Sequence, residues 1–151
     1  MSDSRLGTYG VISLLAIFLC RFESLLALSK DLNFVDLLLL FTLTFILSRV
    51  GALSLAYFLP PAKSNGLGQE AGTLSAEALW STSAIVIVLM LLCLPLLPLL
   101  LIISLFACTA LGLYLVLFIA KSHIGGYTGD VFGLAQICIE IFILLISVIL
   151  I

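Results

Sequence analysis

The chain has 151 residues, 64% of them apolar and 9% charged, with a formal net charge of −2. A water-facing domain carries about 25% charged residues, so this composition excludes a soluble globular protein. It carries no basic stripe of the kind that nucleic-acid binding requires. What remains is an all-α, polytopic integral membrane bundle: a single membrane domain of about five transmembrane helices in a lipid bilayer.

In chain order, the opening MSDSRLGTYG lacks a basic segment running directly into an apolar core, so no signal peptide is expected. It crowds Asp3, Ser4, Arg5, Gly7, Thr8, Tyr9 and Gly10 ahead of the first apolar run. Two readings stand for this cluster. Thr8 caps a helix and the small residues pack, or Arg5 and its acidic neighbour hold a phosphate or metal–phosphate group. The first span is predicted at about 8–28, with Arg21 and Glu23 near its far end as interfacial residues. Two residues apart, they do not face each other on a helix.

The second span is predicted at about 35–57 and carries Arg49. Pro60 and Pro61 end it. A polar loop, 58–78, follows. The apolar stretch 79–120 is about twice the length of one span, with Pro95 and Pro98 near its middle. A helical hairpin, 79–97 and 99–120, is preferred over one kinked helix. A second polar loop, 121–130, leads into a last span at 131–151. Five spans put the N-terminus and both polar loops on one face with Arg5, Lys63 and Lys121, against Lys30 alone on the other. That charge difference points the loops to the cytoplasm. Cys20, Cys93, Cys108 and Cys138 lie in apolar spans without metal-site spacing and read as small buried hydrophobes.

Most of the polar chemistry of the second half sits in IGGYTGDVFG, residues 124–133. Gly125 and Gly126 free the backbone to turn. Thr128 and Asp130 offer oxygens where a helix starts, so Asp130 is either an N-cap or a functional carboxylate that also caps. Gly129, Gly133, Gln136 and Glu140 are spaced four, three and four, which places them on one helical face with glycines that allow another backbone close approach. Glu140, in mid-span, is either a neutral group hydrogen-bonded between helices or part of a polar cavity wall. Arg49 snorkels to the interface, pairs with Glu140, or meets a substrate phosphate. His123 reads as a solvated loop residue.

The run IGGYTGDVFGLAQICIE, residues 124–140, resembles the C-terminal signature of the cobalamin synthase (adenosylcobinamide-GDP ribazoletransferase) family. That signature is a Gly-Gly-x-Thr-Gly-Asp-x-x-Gly loop followed by an acidic residue in an apolar helix. MSDSRLGTYGVISLL resembles the family's central motif. Ser48-Arg49, then Leu59-Pro60-Pro61-Ala62-Lys63 and Gly66-Leu67-Gly68, supply a third match in order. The resemblance implies transfer of α-ribazole, or its 5′-phosphate, onto adenosylcobinamide-GDP with release of GMP, using Mg²⁺. It implies catalytic roles for Asp3, Arg5 and Asp130, with Asp3 and Asp130 as metal ligands. Arg49, Gly125, Gly126, Thr128, Gly129 and Glu140 would bind substrate.

The family's upstream Asp-rich motif is not found here, because the chain begins inside the central motif. The expectation is therefore a C-terminal portion, from a truncated gene, a split gene or a mis-called start within a longer reading frame, acting with a separate N-terminal polypeptide or as an inactive fragment. A transporter component is the rival reading, because buried Arg49 and Glu140 also suit ion coupling.

Overall fold

The computed structural model describes residues 7–62 and 75–151. These form five helices: α1 (Thr8–Asp31), α2 (Phe34–Phe58), α3 (Ala76–Cys93), α4 (Leu99–His123) and α5 (Gly129–Leu150). Each is long and apolar enough to cross a bilayer, so the protein is an all-helical integral membrane protein. In hydrocarbon every backbone amide must find its partner within the helix, which is why the apolar runs fold this way.

Local chemistry sets the ends. Asn33 caps α2: its Oδ1 accepts from Asp36 N–H at 3.0 Å and its Nδ2 donates to the Asp36 carboxylate at 2.6 Å. Ser75 caps α3, accepting from Ala78 N–H at 3.2 Å. Gly7, not Thr8, stands at the cap of α1, and Thr8 is already helical. Helix α2 stops at Phe58, just before the two prolines. The break expected inside 79–120 falls at 94–98: Leu96 and Leu97 N–H both bond the Cys93 carbonyl, and Pro98 precedes α4.

Helix α5 is the hub and packs on α4, α2 and α1; α3 leans chiefly on α2. The two arms of the hairpin therefore splay. An apolar cleft of about 340 Å³ opens between α2, α3 and α4, lined by Val50, Ser54, Trp80, Ser83, Phe106 and Thr109.

The centre is Ile139 of α5, wedged between two glycines. A Cβ on Gly112 would lie 2.7 Å from Ile139 Cγ1 and 3.2 Å from its Cα; one on Gly51 would lie 2.6 Å from Ile139 Cδ1. The glycines expected to give close approach, Gly129 and Gly133, have no other atom within 4 Å of such a Cβ. Spacing located the right helix but not the face that is closed. The buried hydroxyls of Thr44, Ser48, Ser54 and Ser147 donate to carbonyls one turn earlier, so they add no unmet polarity to the core.

Gly112→Ala should lower unfolding stability in detergent by about 1–3 kcal/mol, because Ile139 backbone cannot retreat. Gly133→Ala should leave it unchanged or raise it by up to about 1 kcal/mol, since it adds helix propensity in open space. Thermal unfolding of both variants checks the contrast.

Candidate functional site

The two polar loops meet. Tyr127 N–H donates to the Pro60 carbonyl at 2.9 Å and Ala62 N–H donates to the Tyr127 carbonyl at 3.0 Å, a short parallel bridge between 60–62 and 127. Sequence places Pro60 and Pro61 in this segment, and prolines cannot donate, so the bridge uses a proline carbonyl and the first free amide after them.

Gly126 makes the pairing possible: a Cβ there would lie 2.5 Å from Pro60 O and 2.9 Å from Ala62 Cα and N, all backbone. Gly125 takes φ +76°, a left-handed conformation suited to glycine. Gly125 N–H and Ile124 N–H both bond the Ala120 carbonyl, which closes the end of α4.

Below the bridge, Tyr127 is buried, its ring 5.0 Å from that of Phe132. It packs in a cluster where Ala52, Ala56, Ala120 and Ala135 meet Leu55 and Leu59.

Thr128 is the N-cap of α5, accepting from Val131 N–H at 3.4 Å. Asp130 is therefore not the cap. It stands exposed in the first turn, where the helix dipole favours a negative charge. Gly129 is exposed beside it. His123 is the last residue of α4 rather than a loop residue, with Nδ1 2.7 Å from Ser122 Oγ. Asp3 and Arg5 lie outside the described residues, as does Lys63.

Glu140 is 2% exposed, and Arg21 Nη2 approaches its Oε1 at 2.6 Å. This corrects one expectation: Arg21 is not an interfacial residue but reaches Glu140 between α1 and α5. Arg49 sits on the outward side of α2, within electrostatic range of Glu140, but makes no ion pair among the described residues. The signal for Arg21 was depth. Roughly 20 Å from the start of α1 at 1.5 Å per residue, it lies near the level of Glu140, roughly 16 Å from the start of α5.

Among the described residues no group of three or more His, Cys, Asp and Glu side chains could hold a metal ion. Asp130 and Glu77, both exposed in first turns on the loop face, are the described carboxylates there. Such a set does not cage a cation. It suits Mg²⁺ only in the mode in which one or two carboxylates share the ion with water and substrate phosphates.

A five-span bundle with a glycine loop tied at one face and an ion pair between α1 and α5 defines a polytopic membrane protein. Residues 1–148 match the family model described as Cobalamin-5-phosphate synthase, and the chain belongs to that family. It is 31% identical over 146 residues to an adenosylcobinamide-GDP ribazoletransferase of Sinorhizobium medicae, covering 95% of this chain and 56% of the relative. Against the enzyme of that name from Rhizobium etli it is 34% identical over 144 residues, 93% of this chain and 55% of the relative. Against that from Shewanella halifaxensis it is 35% identical over 143 residues, 90% and 52%. The chain thus spans about half the length of the curated relatives it matches. No solved structure matches it.

Removing one partner of a buried ion pair strands the other charge. Arg21→Leu should destabilise the bundle by about 3 kcal/mol, the low end for such pairs because Arg21 is 36% exposed. Arg21→Leu with Glu140→Gln should recover most of that loss. Detergent unfolding of the single and double variants reads the difference.

Proposed function

We propose that the chain forms the C-terminal part of a membrane-bound transferase that joins adenosylcobinamide-GDP to α-ribazole or its 5′-phosphate. Family membership carries this reading, together with one geometric observation: the Gly-Gly-x-Thr-Gly-Asp loop is fixed by the Pro60–Tyr127 bridge and presents Asp130 outward. Membership in a family of synthases favours transfer over transport.

In the reaction, a ribazole hydroxyl oxygen bonds to the phosphorus on the corrinoid side of the diphosphate. The P–O bond to GMP breaks, GMP leaves with that oxygen, and the hydroxyl proton is given up. Phosphoryl transfer asks the protein mainly for positioning and charge neutralisation.

Asp130 would accept the hydroxyl proton or ligate Mg²⁺, with Asp3 as second carboxylate and Arg5 as phosphate clamp on the strength of their motif. When bound, Mg²⁺ would neutralise diphosphate charge. Gly125, Gly126 and Gly129 keep the loop free of side chains that would hold substrate away. Thr128 keeps the loop on the end of α5, and Arg49 and Glu140 belong to the intramembrane wall. The enzyme would lie in the cell (inner) membrane with the loop face cytoplasmic, on the charge bias of the loops. A separate N-terminal polypeptide would supply what the longer relatives carry.

The test is ribazole transfer with Mg²⁺ in membranes holding this chain, with and without the unmatched half of the Rhizobium etli relative supplied separately. Asp130→Asn should lower transfer by about 100-fold or more while insertion is unchanged. Full activity in that variant removes Asp130 from the chemistry, and no transfer in either membrane preparation rejects the reading.

A further inference from the structure

Three ionisable side chains stand at one level along the helix axes. At 1.5 Å per residue, Glu140 lies roughly 16 Å from the start of α5, Arg21 roughly 20 Å from the start of α1 and Arg49 roughly 14 Å from the end of α2. All three helix ends belong to the loop face, and the hydrocarbon core is about 30 Å thick, so the group sits near the bilayer midplane. Its net charge is +1. Glu140 is committed to Arg21 at 2.6 Å, which leaves Arg49 exposed and without an ion pair among the described residues. A lone guanidinium at that depth costs about 2.5–3.5 kcal/mol on insertion scales.

The group can be reached. On α5, Gly129, Gly133 and Gln136 share the face of Glu140. Both glycines are exposed onto open space, and Gln136 is only half-buried. Helix α1 packs mainly on α5 and only lightly on α2. Between α1 and α2, farther from the loop face than the charges, lies an apolar crevice lined by Phe22, Leu25, Phe34, Leu37 and Phe41.

We infer that Arg49, with the exposed edge of Arg21 held by Glu140, forms an intramembrane binding site for one phosphate group of a ligand that enters along the α5 glycine face. A guanidinium fork matches phosphate oxygens two at a time, and a single phosphate offers enough unbridged oxygens to reach both arginines. The apolar crevice beyond would take a non-polar part of the ligand. The inference does not need the transfer reaction. The phosphate can come from a nucleotide or from an anionic lipid headgroup.

Two binding measurements on the purified full chain distinguish these sources. Titration calorimetry in neutral detergent uses GDP. Native mass spectrometry uses phosphatidylglycerol against phosphatidylcholine. Saturable binding in one arm, weakened about tenfold or more by Arg49→Gln and only partly restored by Arg49→Lys, which keeps the charge but not the fork, supports the site and names its source. No saturable binding of either probe, or binding unchanged in Arg49→Gln, overturns it. Neither readout depends on turnover, so binding by the chain with no transfer even when the unmatched half is supplied rejects the proposed reaction and keeps the site.

Discussion

The bundle depends on the contact of Ile139 with Gly51 and Gly112. Lipid tails are as apolar as leucine, so helices in a bilayer gain little by hiding hydrocarbon from one another and associate through close van der Waals fit instead. Here one branched side chain fills the space left by two missing Cβ atoms, and it does so on three helices at once. That wedge sets how near α2 and α4 come to α5. Helix α3 has no such wedge, and it is the arm that splays.

The consequences run in both directions along α5. Toward the loop face, the close approach continues through Ala52, Ala56, Ala120 and Ala135. Small residues there bring the ends of α2 and α4 near enough for the Pro60–Tyr127 bridge, and Gly126 removes the last obstacle. The loop that bears Asp130 is thus held by backbone bonds on one side and by the Thr128 cap on the other. One residue past Ile139, Glu140 points to α1 and takes Arg21. A buried pair of this kind is a poor source of net stability, because desolvation offsets most of the attraction. It does fix which face of α1 meets α5.

Five spans were legible because each long apolar run leaves the bilayer at a proline or a polar cluster: Pro60-Pro61, Pro95 to Pro98, the glycine loop. Capping was half legible. Thr128 and Asp130 are both capping residues, and only the backbone decides between them; the extended conformation falls on Thr128, which leaves Asp130 free. The glycine stripe Gly129–Gly133 was read on the correct helical face, yet sequence spacing does not say what stands opposite, and the helices that come close do so at Gly51 and Gly112. Arg21 was misplaced for a related reason. Its distance from the polar end of the apolar run suggested an interface, whereas α1 extends to Asp31 and so carries Arg21 well inside.

The surface of α1 shows how charge and packing divide the work. Phe18 and Leu19 face outward and ask for nothing beyond lipid. Arg21, on the same helix, is satisfied inward by Glu140. Arg49 is the exception, a charge on the outward side of α2 with which no described side chain forms an ion pair. In water such a residue would carry no information, because solvent would complete its hydrogen bonds. In hydrocarbon the same exposure is a demand for a counter-charge. The α5 glycine face leaves a route from the polar loops by which one can arrive.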